Sequence, residues 1–175
     1  MTYFDEIYEL AVDNYGIITS AEARELRIPY KEMNALTKRG RLTRRGHGVY
    51  KLARYVPTPN DAYAEAVALV GSKAYLFGES VIAMLGLAPT NPARVFVATP
   101  VRMRKKLPEH IVVVKANDSV NQYEGIRSQD LIDAVLACKQ TMMPERLVEA
   151  TNEASRRGYI SETQKDELLE MLERK

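Results

Sequence analysis

The chemistry most plainly on offer in this 175-residue chain is electrostatic. Between residues 38 and 55 the stretch KRGRLTRRGHGVYKLARY carries seven Lys and Arg and no Asp or Glu, although the whole chain has a formal net charge of only +2. A run of this kind is either a solvated surface or a surface built to sit on a polyanion, where each phosphate neutralised releases counterions. The charge is unevenly placed. Residues 1 to 56 hold ten bases against seven acids, every acid at or before Glu32, while residues 57 to 175 hold fifteen against sixteen. The first part therefore has a polarity that the rest lacks. A second basic run, VRMRKKLPEH at 101 to 110, brings Arg102, Arg104, Lys105 and Lys106 together. It reads as a solvated connection between strands or as a second contact with nucleic acid or an acidic partner.

Other chemistries lack their parts. The histidines are His47 and His110 and the one cysteine is Cys138, too few for a His/Cys zinc site. Gly71-Ser72 resembles the Gly-Ser turn of nucleotidyltransferases, but no Asp-x-Asp follows to hold metal. Phe77-Gly78-Glu79-Ser80-Val81 lacks the second glycine of a nucleophile elbow, and no phosphate-cradling glycine loop occurs. Ser72 and Ser80 read as a loop residue and a helix-start residue. The expectation is a protein that is not an enzyme and has neither cofactor nor metal.

The basic stretch needs elements to hold it. Phe4, Ile7, Leu10 and Ala11 form a helical stripe that stops at Gly16. Ile17-Ile18 is a short extended piece. Thr19 and Glu22 have the spacing of a capping box opening a short helix over about 20 to 26. Pro29 suits the first turn of a third helix that runs to about Lys38 and ends near Gly40. Two extended runs, Arg41 to Arg44 and Val49 to Ala53, then flank the turn Arg45-Gly46-His47-Gly48. Helix, strand, helix, turn, helix and hairpin is the order of a winged helix-turn-helix.

Within that frame the third helix turns Met33 and Leu36 inward and Tyr30, Lys31, Asn34 and Lys38 outward. Lys suits phosphate or a guanine edge, and Asn pairs with adenine, in a major groove wide enough for a helix. Arg39, Arg41, Arg44, Arg45 and His47 follow at the helix end and on the hairpin. Gly46 and Gly48 let the tip turn sharply and approach another backbone. His47 alone reads as a turn residue.

VPTPN, residues 56 to 60, is punctuated as a linker. Beyond it helices are expected at about 61 to 70, 79 to 85, 128 to 138, 144 to 157 and 161 to 174, the last opened by a Ser161/Gln164 capping box. Arg94 to Thr99 and Ile111 to Lys115 read as strands. The fold class expected is mixed α/β, with an N-terminal winged helix-turn-helix at 1 to 56, a linker at 57 to 60, and a smaller-sheet, helix-rich α+β domain at 61 to 175.

The arrangement TSAEAREL, a short turn, a basic helix and RRGHGVYKL resembles the N-terminal domain of AbiEi-type antitoxins from abortive-infection (type IV) toxin–antitoxin systems. YLFGESVIAMLGLAPTNPARVFVATP, residues 75 to 100, is similar to the start of that family's second domain, and YEGIRSQDLIDAVLA, residues 123 to 137, to a later element that begins a helical stretch. The resemblance implies a repressor that binds inverted repeats of double-stranded promoter DNA in its own operon, two copies per operator. It also implies that the second domain counteracts a cognate nucleotidyltransferase-fold toxin, with or without a stable complex, in phage defence. DNA contact carries over to Lys31, Asn34, Lys38, Arg44 and Arg45. The rival reading is a transcriptional regulator whose second domain senses a ligand or partner.

The expected setting is the cytoplasm. The acidic start MTYFDEIYELAVDNYG is the reverse of a secretory signal, a lone cysteine makes no disulfide framework, and no apolar run is long enough to span a membrane.

Overall fold

The computed structural model describes residues 1–90 and 93–174. Asn91 and Pro92, inside the 75 to 100 stretch of the resemblance, and Lys175 lie outside the described residues. Among the described residues the chain forms eight helices and eight strands and divides into two compact units, Met1–Ser72 and Lys73–Lys175.

The first unit opens with α1 (Tyr3–Val12), β1 (Ile17–Thr19), α2 (Ser20–Glu25) and α3 (Tyr30–Lys38). It continues through β2 (Leu42–Gly46), β3 (Val49–Leu52) and α4 (Asp61–Val70). Thr2 caps α1, its hydroxyl accepting the Asp5 N–H at 3.1 Å while the Asp5 carboxylate accepts the Thr2 N–H at 2.9 Å. The Thr2 N–H, and then the Thr2 hydroxyl donating to Asp5 Oδ2 at 2.7 Å, hold the Asp5 carboxyl below its ordinary range. The chain leaves α1 through Gly16 at φ +76, where a Cβ would lie 2.6 Å from the Tyr55 ring. Thr19 caps α2 as expected, but Glu22 reaches the Thr19 hydroxyl at 2.9 Å. Pro29 stands at the N-cap of α3, one residue before the first turn expected for it.

Helices α2 and α3, joined by residues 26 to 29, are helix-turn-helix-like. Behind them lies an antiparallel sheet in the order β1-β3-β2. The inward stripes of α1 and α3 (Ile7, Ala11, Met33, Leu36) meet Ile18, Leu42, Tyr50 and Leu52 of the sheet in one buried cluster. The hairpin differs from the expected Arg41 to Arg44 and Val49 to Ala53: β2 begins at Leu42, β3 ends at Leu52, and the turn shrinks to His47 and Gly48. β2 runs on to Gly46, which pairs with Val49, and the register slips between Arg44 and Gly46 so that Arg45 is an extra, bulged residue.

The second unit is built on a mixed sheet of five strands in the order β6-β5-β4-β8-β7. Its elements are β4 (Tyr75–Leu76), α5 (Glu79–Leu85), β5 (Val95–Thr99), β6 (Ile111–Lys115), β7 (Val120–Tyr123) and β8 (Ile126–Gln129), followed by α6 (Leu131–Ala137), α7 (Pro144–Arg156) and α8 (Glu162–Glu173). The smaller sheet expected here is the larger of the two. β4 is two residues long, and β7 and β8 form a polar-faced hairpin around Glu124 and Gly125, both at positive φ, as a tight two-residue turn requires. That hairpin takes Ser128 and Gln129, so α6 begins after Asp130, whose carboxylate accepts the Ile132 N–H at 3.1 Å. The Ser161/Gln164 capping box at α8 is complete.

Two part-buried polar links fix this sheet. The Tyr75 hydroxyl donates to Asp118 Oδ2 at 2.7 Å and accepts the Asp118 N–H at 3.0 Å. Burial, then Asp118, pushes the Tyr75 phenol up to about 12. Ser80 Oγ accepts the Phe96 N–H at 2.7 Å, joining the start of α5 to β5.

Candidate nucleic-acid interface

Lys31, Asn34 and Lys38 fall at i, i+3 and i+7 on α3, one stripe along a single face. Lys31 and Lys38 are exposed and Asn34 is half-buried, while Met33 and Leu36 on the opposite face are buried. Thr37 does not join the stripe, because its hydroxyl donates to the Met33 carbonyl at 2.8 Å. Arg39, at the helix C-cap, is exposed and extends the row.

The hairpin is tied to the start of this helix. Arg44 pairs across the ladder with Tyr50. The buried Tyr50 side chain lies near Tyr30 at the start of α3. Burial pushes the Tyr50 phenol up, Tyr30 adds to the shift, and the nearby Arg44 charge opposes it. Tyr30, itself 63% exposed, thus stands where the helix and the hairpin meet. Arg44 and His47 are exposed on the same hairpin, and Arg44 Nε reaches the Gly46 carbonyl at 3.3 Å.

Two of the candidate cations have partners within the unit. The Arg41 guanidinium lies 3.7 Å from the centroid of the Phe4 ring, a cation–π distance. Arg45 Nε donates to Glu65 Oε1 at 2.7 Å and Arg45 Nη2 to Glu65 Oε2 at 3.4 Å. The bonds and charge of Glu65 hold the Arg45 guanidinium above its ordinary range. The helix that supplies Glu65, α4, belongs to the first unit rather than to the second domain expected from residue 61 onward. Its start is anchored by Lys51 Nζ, 3.1 Å from Asp61 Oδ2. Burial raises the Asp61 carboxyl, but bonds from Thr58 and Lys51 outweigh it and leave the group low.

A family model described as a transcriptional regulator and AbiEi antitoxin matches residues 5–53, from the first turns of α1 to just past β3. Over that segment the chain is similar to AbiEi antitoxins. No curated protein matches the chain. AbiEi antitoxins of this type are transcriptional regulators, and the matched segment contains every candidate residue from Tyr30 to His47. It ends before α4, so Glu65 and its grip on Arg45 lie outside the AbiEi match.

The second basic run belongs to the second unit. Arg102, Arg104, Lys105 and Lys106 are all exposed in the connection between β5 and β6, which are parallel neighbours. Among the described residues, no group of His, Cys, Asp and Glu is placed to hold a metal ion. No described helix is long and apolar enough to cross a membrane. Tyr50 and Glu65 are not among the residues singled out in the sequence, and Phe4 stands there only as part of the α1 stripe. The available signal for Glu65 was its place four residues after Asp61 and four before Leu69, which puts all three on one helical face.

Proposed function

We propose that this chain is an antitoxin and transcriptional autoregulator whose first unit is a winged helix-turn-helix. In this reading α3 enters the major groove of promoter DNA and the β2–β3 hairpin is a wing on the flanking backbone. The observation that carries it is the stripe of Lys31, Asn34 and Lys38 on α3, beside the exposed Arg44 and His47 of the hairpin that packs against this helix. Lys31, Lys38, Arg39 and Arg44 supply sequence-independent phosphate contact, and Asn34 reads a base edge. The AbiEi match supports regulation and antitoxicity. On that basis the operator is an inverted repeat taking two copies in the cytoplasm, and the second unit counteracts a nucleotidyltransferase-fold toxin. The exposed cations of 102 to 106 are an additional acidic-partner or nucleic-acid contact.

A reporter driven by the DNA upstream of its own coding sequence tests the regulatory half. The unaltered chain represses it, and Lys31→Ala with Lys38→Ala releases it while the protein accumulates normally. Co-expression with the neighbouring open reading frame tests the other half, since the same variant still protects if antitoxicity resides in the second unit. A harmless neighbour would sink the antitoxin reading.

One observation favours a second reading, a regulator with a sensory second unit. An open depression of about 400 Å³ is lined by Glu79, Arg94, Phe96, Met142, Met143 and Arg146. Loss of repression on adding a small anion or metabolite extract, with no effect of the neighbour, would support that reading.

A further inference from the structure

Asp61, Glu65 and Leu69 follow one another at four-residue spacing and meet the hairpin in turn. Asp61 takes Lys51 at 3.1 Å, Glu65 takes Arg45 through both its oxygens at 2.7 and 3.4 Å, and Leu69 lies against Gly46. Helix α4 therefore runs along the hairpin, held at its start, middle and end. Arg45 is the bulged residue of β2, and a bulge re-aims a side chain. Here it aims a guanidinium at a carboxylate that is only 16% exposed. Arg–carboxylate and Arg–phosphate pairs use the same forked edge. While Glu65 holds Nε and Nη2, that edge of Arg45 has no room for a phosphate.

We propose that Glu65 is an affinity-setting residue of the DNA interface: it competes with backbone phosphate for Arg45 and keeps the hairpin's hold on duplex DNA below what its cations allow. The proposal rests on the reading of the hairpin as DNA-facing. Glu65 acts in two ways. It occupies the fork of Arg45, and its negative charge stands beside the path of an approaching phosphate. Removing it frees one cation without disturbing the Lys51–Asp61 and Gly46–Leu69 contacts that also seat α4.

The test uses the full chain and a fluorescent duplex taken from the DNA upstream of its own coding sequence, titrated by anisotropy across a salt series. Glu65→Gln is expected to bind roughly tenfold more tightly at low salt and to steepen the salt slope by about one, the signature of one added phosphate contact. Glu65→Ala, which cannot bond Arg45 at all, gives the same gain. The gain disappears in Glu65→Gln combined with Arg45→Gln. Affinity of both Glu65 variants equal to or weaker than the unaltered chain, with that chain itself binding steeply with salt, overturns the proposal and leaves the DNA reading standing. If no variant binds the duplex, the DNA reading fails and takes this proposal with it.

Discussion

Gly46 on the hairpin and Leu69 on α4 approach so closely that a Cβ on Gly46 would lie 2.3 Å from Leu69 Cδ2. The backbone of Gly46 is not in the left-handed region, so this glycine is required by contact rather than by its turn. Leu69 is 6% exposed and has little free space to retreat into.

Gly46→Ala is accordingly expected to destabilise the first unit by about 1–2 kcal/mol through overpacking. Leu69→Ala alone costs about 2–4 kcal/mol through the cavity it leaves. In the double variant the new methyl has room, so the combined loss falls short of the sum. Urea unfolding of the four proteins measures this coupling, and strict additivity would contradict the contact.

Arg41 and Phe4 give a second stability prediction. Arg41→Met keeps the aliphatic stem over the ring and removes the charge 3.7 Å from its centroid. The expected loss is about 0.5–1 kcal/mol, the size of an exposed cation–π contact. Phe4→Ala costs more, because Phe4 also packs against the buried cluster of Ile7, Met33 and Leu36. Thermal unfolding separates the two variants.

The Tyr75–Asp118 link predicts behaviour of the second unit at alkaline pH. Tyr75→Phe leaves the Asp118 N–H and carboxylate without their hydroxyl, at a cost of about 1–3 kcal/mol. The folded state raises the Tyr75 phenol from 10.0 to about 12. A raised pKa means this contribution is fully present below pH 10 and is lost as pH climbs through 12. The stability gap between the unaltered chain and Tyr75→Phe should therefore narrow across that window in pH-dependent unfolding. A gap that stays constant would mean the hydroxyl does not titrate as its surroundings require.

Asn34 makes a prediction about sequence choice. If it reads an adenine edge, Asn34→Ala relaxes preference at one base-pair position of the operator by about 1–3 kcal/mol while leaving the salt slope unchanged. Binding-site selection with both proteins checks it, and identical selected sites would remove Asn34 from base readout.

Much of the first unit was legible because its signals are local. The stripe of Phe4, Ile7, Leu10 and Ala11, of which Leu10 stays 40% exposed, the Thr19 cap and the Met33/Leu36 face each depend on residues within one or two turns, and α1, α2 and α3 fall where those signals put them. The same holds for Ser161 and α8. Three strands of the second unit were not legible. Tyr75-Leu76 is too short to show a period, and Val120–Tyr123 is polar at both central residues. Ile126–Gln129 runs straight into the cap of α6, so its last residues read as helix. The cation partners were hidden for a different reason. Arg41 meets Phe4 and Arg45 meets Glu65 across many residues of sequence, and a charge run by itself does not reveal which of its members are already engaged.

The most direct test of the central claim is the salt dependence of binding between the full chain and its own upstream duplex, with and without Lys31→Ala plus Lys38→Ala. The account predicts steep, linear weakening with salt for the unaltered chain and a slope shallower by about two for the double variant, one for each lost phosphate contact. A slope unchanged by the two substitutions, or binding indifferent to salt, would contradict α3 as the DNA-reading helix.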